Sequence, residues 1–174
     1  MTSFVKSVLI DVFIAILAAG AILFFVRPTI VKQTSMQDTL NPNDYVIMYR
    51  RAYSGDKEPE RGDIIIFESE MTDESGKDKL LIKRVIGLPG DTVTIENGMV
   101  YLNGEEYPES YLKDGYTSGD IQDVVVPENS YFVMGDNRAV SIDSRYSEVG
   151  FVEKEDIKGK AVLRLYPFTE KHLL

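Results

Sequence analysis

The strongest constraint on this chain is an unbroken apolar run, residues 8–26, VLIDVFIAILAAGAILFFV, in which Asp11 is the sole charge. Nineteen residues in a helix extend about 28 Å at ~1.5 Å per residue, close to the hydrocarbon thickness of a bilayer. Asp11 lies near one end, where an interfacial carboxylate costs little. Arg27-Pro28 is expected to close the helix, because proline cannot continue one and disfavours helical geometry in the residue before it. A cleaved secretory leader is the main rival, since Ala19-Gly20-Ala21 offers small residues of the kind a leader is cut after. Against it, the apolar run continues through Ile22-Leu23-Phe24-Phe25-Val26 with no polar stretch around the cut. A buried core helix or an interfacial amphipathic one would each need a face this segment lacks. The reading is one uncleaved transmembrane helix. Its direction stays open, because Lys6 and the amino terminus on one side nearly balance Arg27 and Lys32 on the other.

Charge is distributed unevenly about this span. The net charge is −9; residues 1–32 carry +2 (Lys6, Arg27 and Lys32 against Asp11), which leaves −11 for 33–174. An acidic domain lacks the basic footprint that nonspecific nucleic-acid binding requires. There is no cysteine, so disulfides, thiolate nucleophiles and Cys-ligated metals are excluded. A single histidine, His172, makes a histidine-rich metal site impossible and argues against a Ser-His-Asp triad.

Beyond the span the pattern changes from helical to β. Residues 44–49, 63–67, 80–82, 92–95, 99–102, 124–126, 131–134 and 161–166 are short β-branched or aromatic runs bounded by turn residues. Asn97-Gly98 and Asn103-Gly104 suit type I′ turns and predict a small meander over 92–107. The polar stretches 54–61 and 69–79 are expected to be solvated loops. The fold class is therefore mostly β, one N-terminal transmembrane helix followed by a compact β-sheet domain with hairpins. The boundaries are a short N-terminus at 1–7, the span at 8–26 and the β-rich domain at 27–174.

Three places in that domain can carry chemistry. Lys83 follows Leu80-Leu81-Ile82 and precedes Arg84-Val85-Ile86. Alternation along a strand sends Lys83 and Arg84 to opposite faces, so one of them points inward. Burial lowers a lysine pKa from about 10.4 towards neutrality and makes the amine a base, whereas arginine cannot be neutralised this way. A surface lysine on an edge strand is the plain alternative. Ser35 stands nine residues past the span, and a serine hydroxyl attacks only when a neighbour removes its proton. A desolvated lysine can play that part in Ser-Lys schemes. The segment GDNRAVSIDSR, residues 135–145, supplies a turn, the hydroxyl of Ser141, and Asp143 with Arg145 at a spacing that in a strand places both on one face. A phosphate- or sugar-binding loop, or a polar hairpin tip, would read the same way.

Taken together, Ser35-Met36 with Thr39-Leu40, RGDIIIF (61–67), KRVIGLPGD (83–91) and GDNRAVSIDSR (135–145), in this order behind an apolar span, resemble the motif set of bacterial type I signal peptidases, in their small single-span form. The resemblance covers nearly the whole chain. It implies a membrane-anchored serine endopeptidase that removes signal peptides from secreted preproteins, cut after small residues. It implies Ser35 as nucleophile and Lys83 as general base. Ser141 would hold the lysine amine, Asp143 and Arg145 would form a supporting pair, Asp136 would open the same motif, and Met36 would help form the substrate groove. No metal and no organic cofactor is implied. The expected partners are preproteins and the lipid bilayer, with no nucleic acid, for a chain acting as a monomer. The expected location is the cell membrane, single-pass, with the N-terminus cytoplasmic and the catalytic domain extracytoplasmic.

Two positions depart from the family pattern. Asp38 stands where a proline is usual, and Gln33 stands where a serine or glycine is usual two residues before the nucleophile, which bears on who supports the oxyanion. A self-cleaving repressor-type Ser-Lys peptidase shares the chemistry but needs no span and carries a DNA-binding module. A membrane-anchored β domain that binds partners and has lost catalysis is the rival from outside the enzymes.

Overall fold

The computed structural model describes residues 3–37, 39–72, 76–113, 115–167 and 173–174, so Asp38 and His172 lie outside the described residues. The apolar run forms one helix, α1 (Ser3–Phe25), longer at its start than the sequence suggests and ending one residue sooner. At ~1.5 Å per residue its 23 residues extend about 34 Å. No part of the most apolar stretch is buried against the rest of the protein. A helix with apolar side chains on every side, left unburied by the described residues, is suited to a lipid surrounding. Proline does not break it. The chain becomes extended at Val26, and Pro28 sits within the edge strand β1 (Val26–Ile30), where a missing N–H costs no ladder bond.

Two antiparallel sheets follow. The larger runs β1–β2–β11–β3–β4–β9–β10, with β2 (Tyr45–Tyr49), β3 (Ile64–Thr72), β4 (Asp78–Gly87), β9 (Ser130–Met134), β10 (Val152–Glu153) and β11 (Ile157–Tyr166). The smaller runs β7–β6–β5–β8, with β5 (Thr92–Glu96), β6 (Met99–Leu102), β7 (Glu105–Glu106) and β8 (Ile121–Val125). Both Asn-Gly turns form as expected: Asn97, Gly98, Asn103 and Gly104 all have positive φ, and each pair joins strands through a two-residue loop. Within the stretch 69–79, expected to be a solvated loop, residues 69–72 instead continue β3 and 78–79 begin β4, with Ser69 opposite Lys79 and Thr72 opposite Asp78; residues 73–75 lie outside the described residues. Cross-strand pairing, with a register shift between Ser69 and Thr72, holds those polar residues extended, although their composition reads as loop.

The core divides along the large sheet. On one face Ile65, Phe67, Leu81, Val85, Tyr131 and Val133 pack together. On the other, Ile64, Ile66, Val46, Met48 and Ala161 meet Val31, Met36 and Leu40 from the segment that follows β1. A third cluster joins the two sheets through Ile86, Val93, Ile95, Phe132 and Met134. Gly87 marks that junction: a Cβ there would press on Phe132, Val126 and Val93 at once. The large sheet thus has a packed interior on both faces at β4, the strand that carries Lys83.

Candidate active site

Lys83 lies in the middle of β4, paired with Ile65 of β3, on the face that carries Leu81 and Val85. It is 1% exposed. Burial is the largest influence on its amine and lowers the pKa to about 8; Asp143 and Asp136 pull upward, Arg145 downward, and together they do not cancel the loss of water. None of the ion pairs among the described residues is its own. A lysine in that state loses its proton within reach of physiological pH.

The other components come from two loops. Arg84 is opposite Met134 across the β4–β9 ladder, which brings Lys83 level with Gly135 as the chain leaves β9. Over Gly135 sit the Ser141 hydroxyl and the Ser35 carbonyl; a Cβ at this glycine would collide with both. Asn137 ties the loops together, its N–H donating to the Ser35 carbonyl at 2.9 Å and its Nδ2 to the Thr34 carbonyl at 3.2 Å. Ser35 and Ser141 are buried, and neither hydroxyl has a hydrogen-bond partner among the described residues. The expected bond from Ser141 to the lysine amine is therefore open in this structure. Two orphaned buried hydroxyls on the loops that meet over Gly135, and a desolvated amine on the strand level with it, are costly to maintain unless something uses them.

The supporting groups are well tied. Arg145 grips Asp143 with two bonds, Nε to Oδ1 at 2.8 Å and Nη2 to Oδ2 at 2.9 Å, and Asp143 accepts the Gly135 N–H at 3.0 Å. The pair exists, but in a turn and not in the strand that its spacing suggested: the backbone reverses at 143–146, with Tyr146 N–H donating to the Asp143 carbonyl. Asp136 accepts from Arg84 Nε at 2.9 Å and Nη2 at 2.7 Å, and from Thr39 Oγ1 at 2.5 Å. It thereby fastens the segment just after Ser35 to the central strand. Arg84 also lies 4.0 Å from the Tyr111 ring centroid and donates to the Gly62 carbonyl.

Arg138 was given no role on sequence grounds, yet it is buried, donates Nε to the Gly135 carbonyl at 3.0 Å, and pairs with Glu109 and Thr117. Its position inside the 135–145 motif was the available signal. Glu109 and Tyr111 had none, because they come from a loop of the small sheet more than twenty residues distant in the chain. Gly135 was part of the quoted motif, but only the packing over it shows why a side chain is not tolerated.

A groove of about 600 Å³ lies between the segment from Arg27 to Gln33 and the strand stretch from Asp78 to Ile82. It stops two residues short of Ser35 and one short of Lys83. Gln33 is exposed and lines it. Met36, expected in the groove, is 0% exposed and not among its lining residues; it packs with Val31, Met48 and Ile66, which do line it. The methionine fills the space beneath the wall. A methionine directly after a turn serine packs inward here because Leu40 and Val31 leave an apolar gap that only a long, flexible side chain fills.

Comparison with known proteins gives a consistent picture. Residues 2–166 match the family model described as signal peptidase, peptidase S26. The chain is 37% identical over 176 residues to signal peptidase I of Bacillus licheniformis, covering 95% of this chain and 89% of that one. It is 38% identical over 176 residues to signal peptidase I S of Bacillus subtilis strain 168, with the same coverage of 95% and 89%. Among solved structures, a signal peptidase I from Enterococcus faecalis V583 superposes with a TM-score of 0.52 at 36% identity, over 61% of this chain and 98% of that one.

Proposed function

The chain belongs to the signal peptidase family, peptidase S26, and as a serine peptidase it removes signal peptides from preproteins; we propose that it does so with Ser35 as nucleophile and Lys83 as general base. The observation that supports this assignment is the buried Lys83 amine, with its pKa lowered to about 8, together with two buried hydroxyls that have no partner among the described residues. A domain that only binds partners has no use for that combination.

The proposed chemistry follows from the parts. The neutral Lys83 amine accepts the Ser35 Oγ proton as Oγ attacks the scissile carbonyl, with Ser141 orienting the amine. The N–H of Ser35 donates to the oxyanion of the tetrahedral intermediate. When the intermediate collapses, the Lys83 ammonium returns its proton to the departing amine, and the signal peptide is left esterified to Ser35. Water, deprotonated by Lys83, then cleaves the ester and frees both serine and peptide. The hydrogen bond between Ser35 and the amine is open in the free protein and closes when the scissile segment lies across them. Asp143 and Arg145 stiffen the turn that presents Ser141, and Asp136 holds the nucleophile loop through Thr39.

The groove between the 27–33 segment and β4 is the proposed seat of the signal peptide, which would lie extended and end with small side chains against Gln33 and Ile82. Shallow walls exclude large side chains more strongly than they attract small ones. In the same reading α1 spans the bilayer once, residues 1–7 are cytoplasmic, and residues 27–174 form an extracytoplasmic catalytic domain acting as a monomer. The test is incubation of the detergent-solubilised protein with a preprotein, wild type against Ser35→Ala. Site-specific cleavage by the wild type and none above background by the variant is the expected result. Cleavage retained in Ser35→Ala would remove Ser35 from the mechanism.

A further inference from the structure

Strand β9 ends at Met134, and the Ser141 hydroxyl and the Ser35 carbonyl both press on the bare Cα of the next residue, Gly135. Contact that close leaves no slack, so the placement of Gly135 sets how the two serine-bearing loops meet. Its two flanking peptide units are each fixed by an arginine–carboxylate pair. The Gly135 N–H donates to Asp143 at 3.0 Å, and Arg145 holds Asp143. The Gly135 carbonyl accepts from Arg138 Nε at 3.0 Å, and Glu109 holds Arg138. The first pair lies within residues 135–145. The second reaches out of that motif, to the connection between β7 and β8 in the small sheet.

We propose that Glu109 is a positioning residue for the cleavage reaction: through Arg138 it fixes the Gly135 carbonyl, and with it the way Ser141 and Ser35 are presented to the Lys83 amine. The inference rests on the assignment of Ser35 and Lys83. The grip is a fork. Arg138 Nη1 donates to Glu109 Oε2 at 2.7 Å and Nη2 to Oε1, so the guanidinium is held in one orientation with Nε left to meet Gly135. The grip is also buried, the two side chains being 7% and 3% exposed, so loss of the carboxylate strands a cation away from water. Glu109 is in turn held by its own sheet: Tyr111 Oη donates to Oε1, Thr117 Oγ1 donates to Oε2 at 3.4 Å, and the Thr117 N–H donates to the Gly98 carbonyl at 2.8 Å. The Tyr111 ring lies over Arg84, whose bonds to Asp136 fasten the loop after Ser35. One carboxylate of the small sheet therefore bears on both loops, and on the Ser141 loop it acts through a single arginine.

A cycle of variants in the detergent-solubilised full chain separates positioning from mere fastening, with kinetics on a signal-peptide substrate and Tm as the readouts. Glu109→Gln keeps the shape and loses the charge. Its kcat should fall about 10- to 100-fold with KM unchanged, because the groove is untouched while the reacting groups are displaced. In an Arg138→Met background the same substitution should cost no further kcat, since its effect passes through the arginine. The double variant Glu109→Gln/Arg138→Met contains no unpaired buried charge, so its Tm should recover towards the wild-type value while its kcat stays low. Unchanged kcat in Glu109→Gln overturns the proposal, as does a full further loss when that change is added to Arg138→Met. Recovery of kcat together with Tm in the double variant overturns it too, because Glu109 would then only fasten the fold. If Glu109→Gln fails to fold, the double variant decides alone, and a wild-type kcat there overturns the proposal. Each of these outcomes leaves Ser35 and Lys83 in place. Wild-type cleavage that persists in Ser35→Ala overturns the nucleophile assignment and this proposal with it.

Discussion

The two faces of strand β4 treat a buried cation in opposite ways. Arg84 points to one face and is fully engaged, with two bonds to Asp136, one to the Gly62 carbonyl and the Tyr111 ring beside it. Lys83, its neighbour in the chain, points to the other, the face of Leu81 and Val85, and makes no ion pair among the described residues; burial outweighs the pull of Asp143 and Asp136 on its amine. Charge that is paired and hydrogen-bonded is architecture; it fixes the loop after Ser35 to the sheet. A group buried without compensation does not contribute to stability and must be retained for another reason. In the proposed mechanism adjacent residues of the same charge hold a structural and a chemical post, and the partners distinguish them, not the residue types.

The largest effect that would break this contrast is on turnover. Lys83→Arg keeps the charge but supplies no neutral amine, so kcat should fall on the order of 10⁴-fold, as far as in Lys83→Met. Appreciable turnover by Lys83→Arg in a peptide-cleavage assay would make Lys83 a fixed charge and move the base elsewhere.

Stability should reverse the order of the two faces. Asp136→Ala leaves Arg84 buried and uncompensated, with an expected loss of about 3–5 kcal/mol, read as a fall in Tm of about 10 °C or more by calorimetry. Lys83→Met should do the opposite near neutral pH. The unfolded lysine holds its proton up to pH about 10.5, whereas the folded one releases it above about 8. Between these values unfolding takes up a proton, so wild-type stability declines as pH falls from 10.5 to 8 and is constant below. The Tm advantage of Lys83→Met should grow over that interval and vanish above it; an advantage independent of pH would mean that Lys83 is not neutral in the folded state.

The pH dependence of catalysis carries the same sign. The base must be unprotonated, so kcat/KM should climb about tenfold per pH unit up to about 8 and level off above it. A profile flat from pH 6 to 9 would separate the base from Lys83. The smallest expected effect is at Gln33, exposed in the groove wall. Gln33→Gly should raise KM a few-fold with little change in kcat, whereas removing a true oxyanion donor would cost about 10²–10³ in kcat. That larger fall would place the Gln33 amide on the oxyanion.

Much of this chain is legible without coordinates because its signals are local. An apolar run of membrane length, Asn-Gly turns that demand positive φ, and β-branched runs between breakers each act over a few residues. They locate the helix, the meander and most of the strands. The order of Ser35, Lys83 and the 135–145 motif is equally visible. What the pattern could not supply is whatever depends on partners remote in the chain. The polar residues 69–72 and 78–79 are extended because one strand pairs with the other, against their own composition. Asp143 and Arg145 meet, but across a turn, since their loop is held by Gly135 and Ser118 and not by a ladder. Met36 is in the core because the space beside Val31 and Leu40 exists only after the segment folds over β3 and β11. Whether a lysine is a surface charge or a base is also decided there. Sequence alternation shows that Lys83 and Arg84 face opposite ways, but desolvation and pairing are properties of the surrounding volume, assembled from β3, β9 and the two loops over Gly135, and only the packed structure sets them.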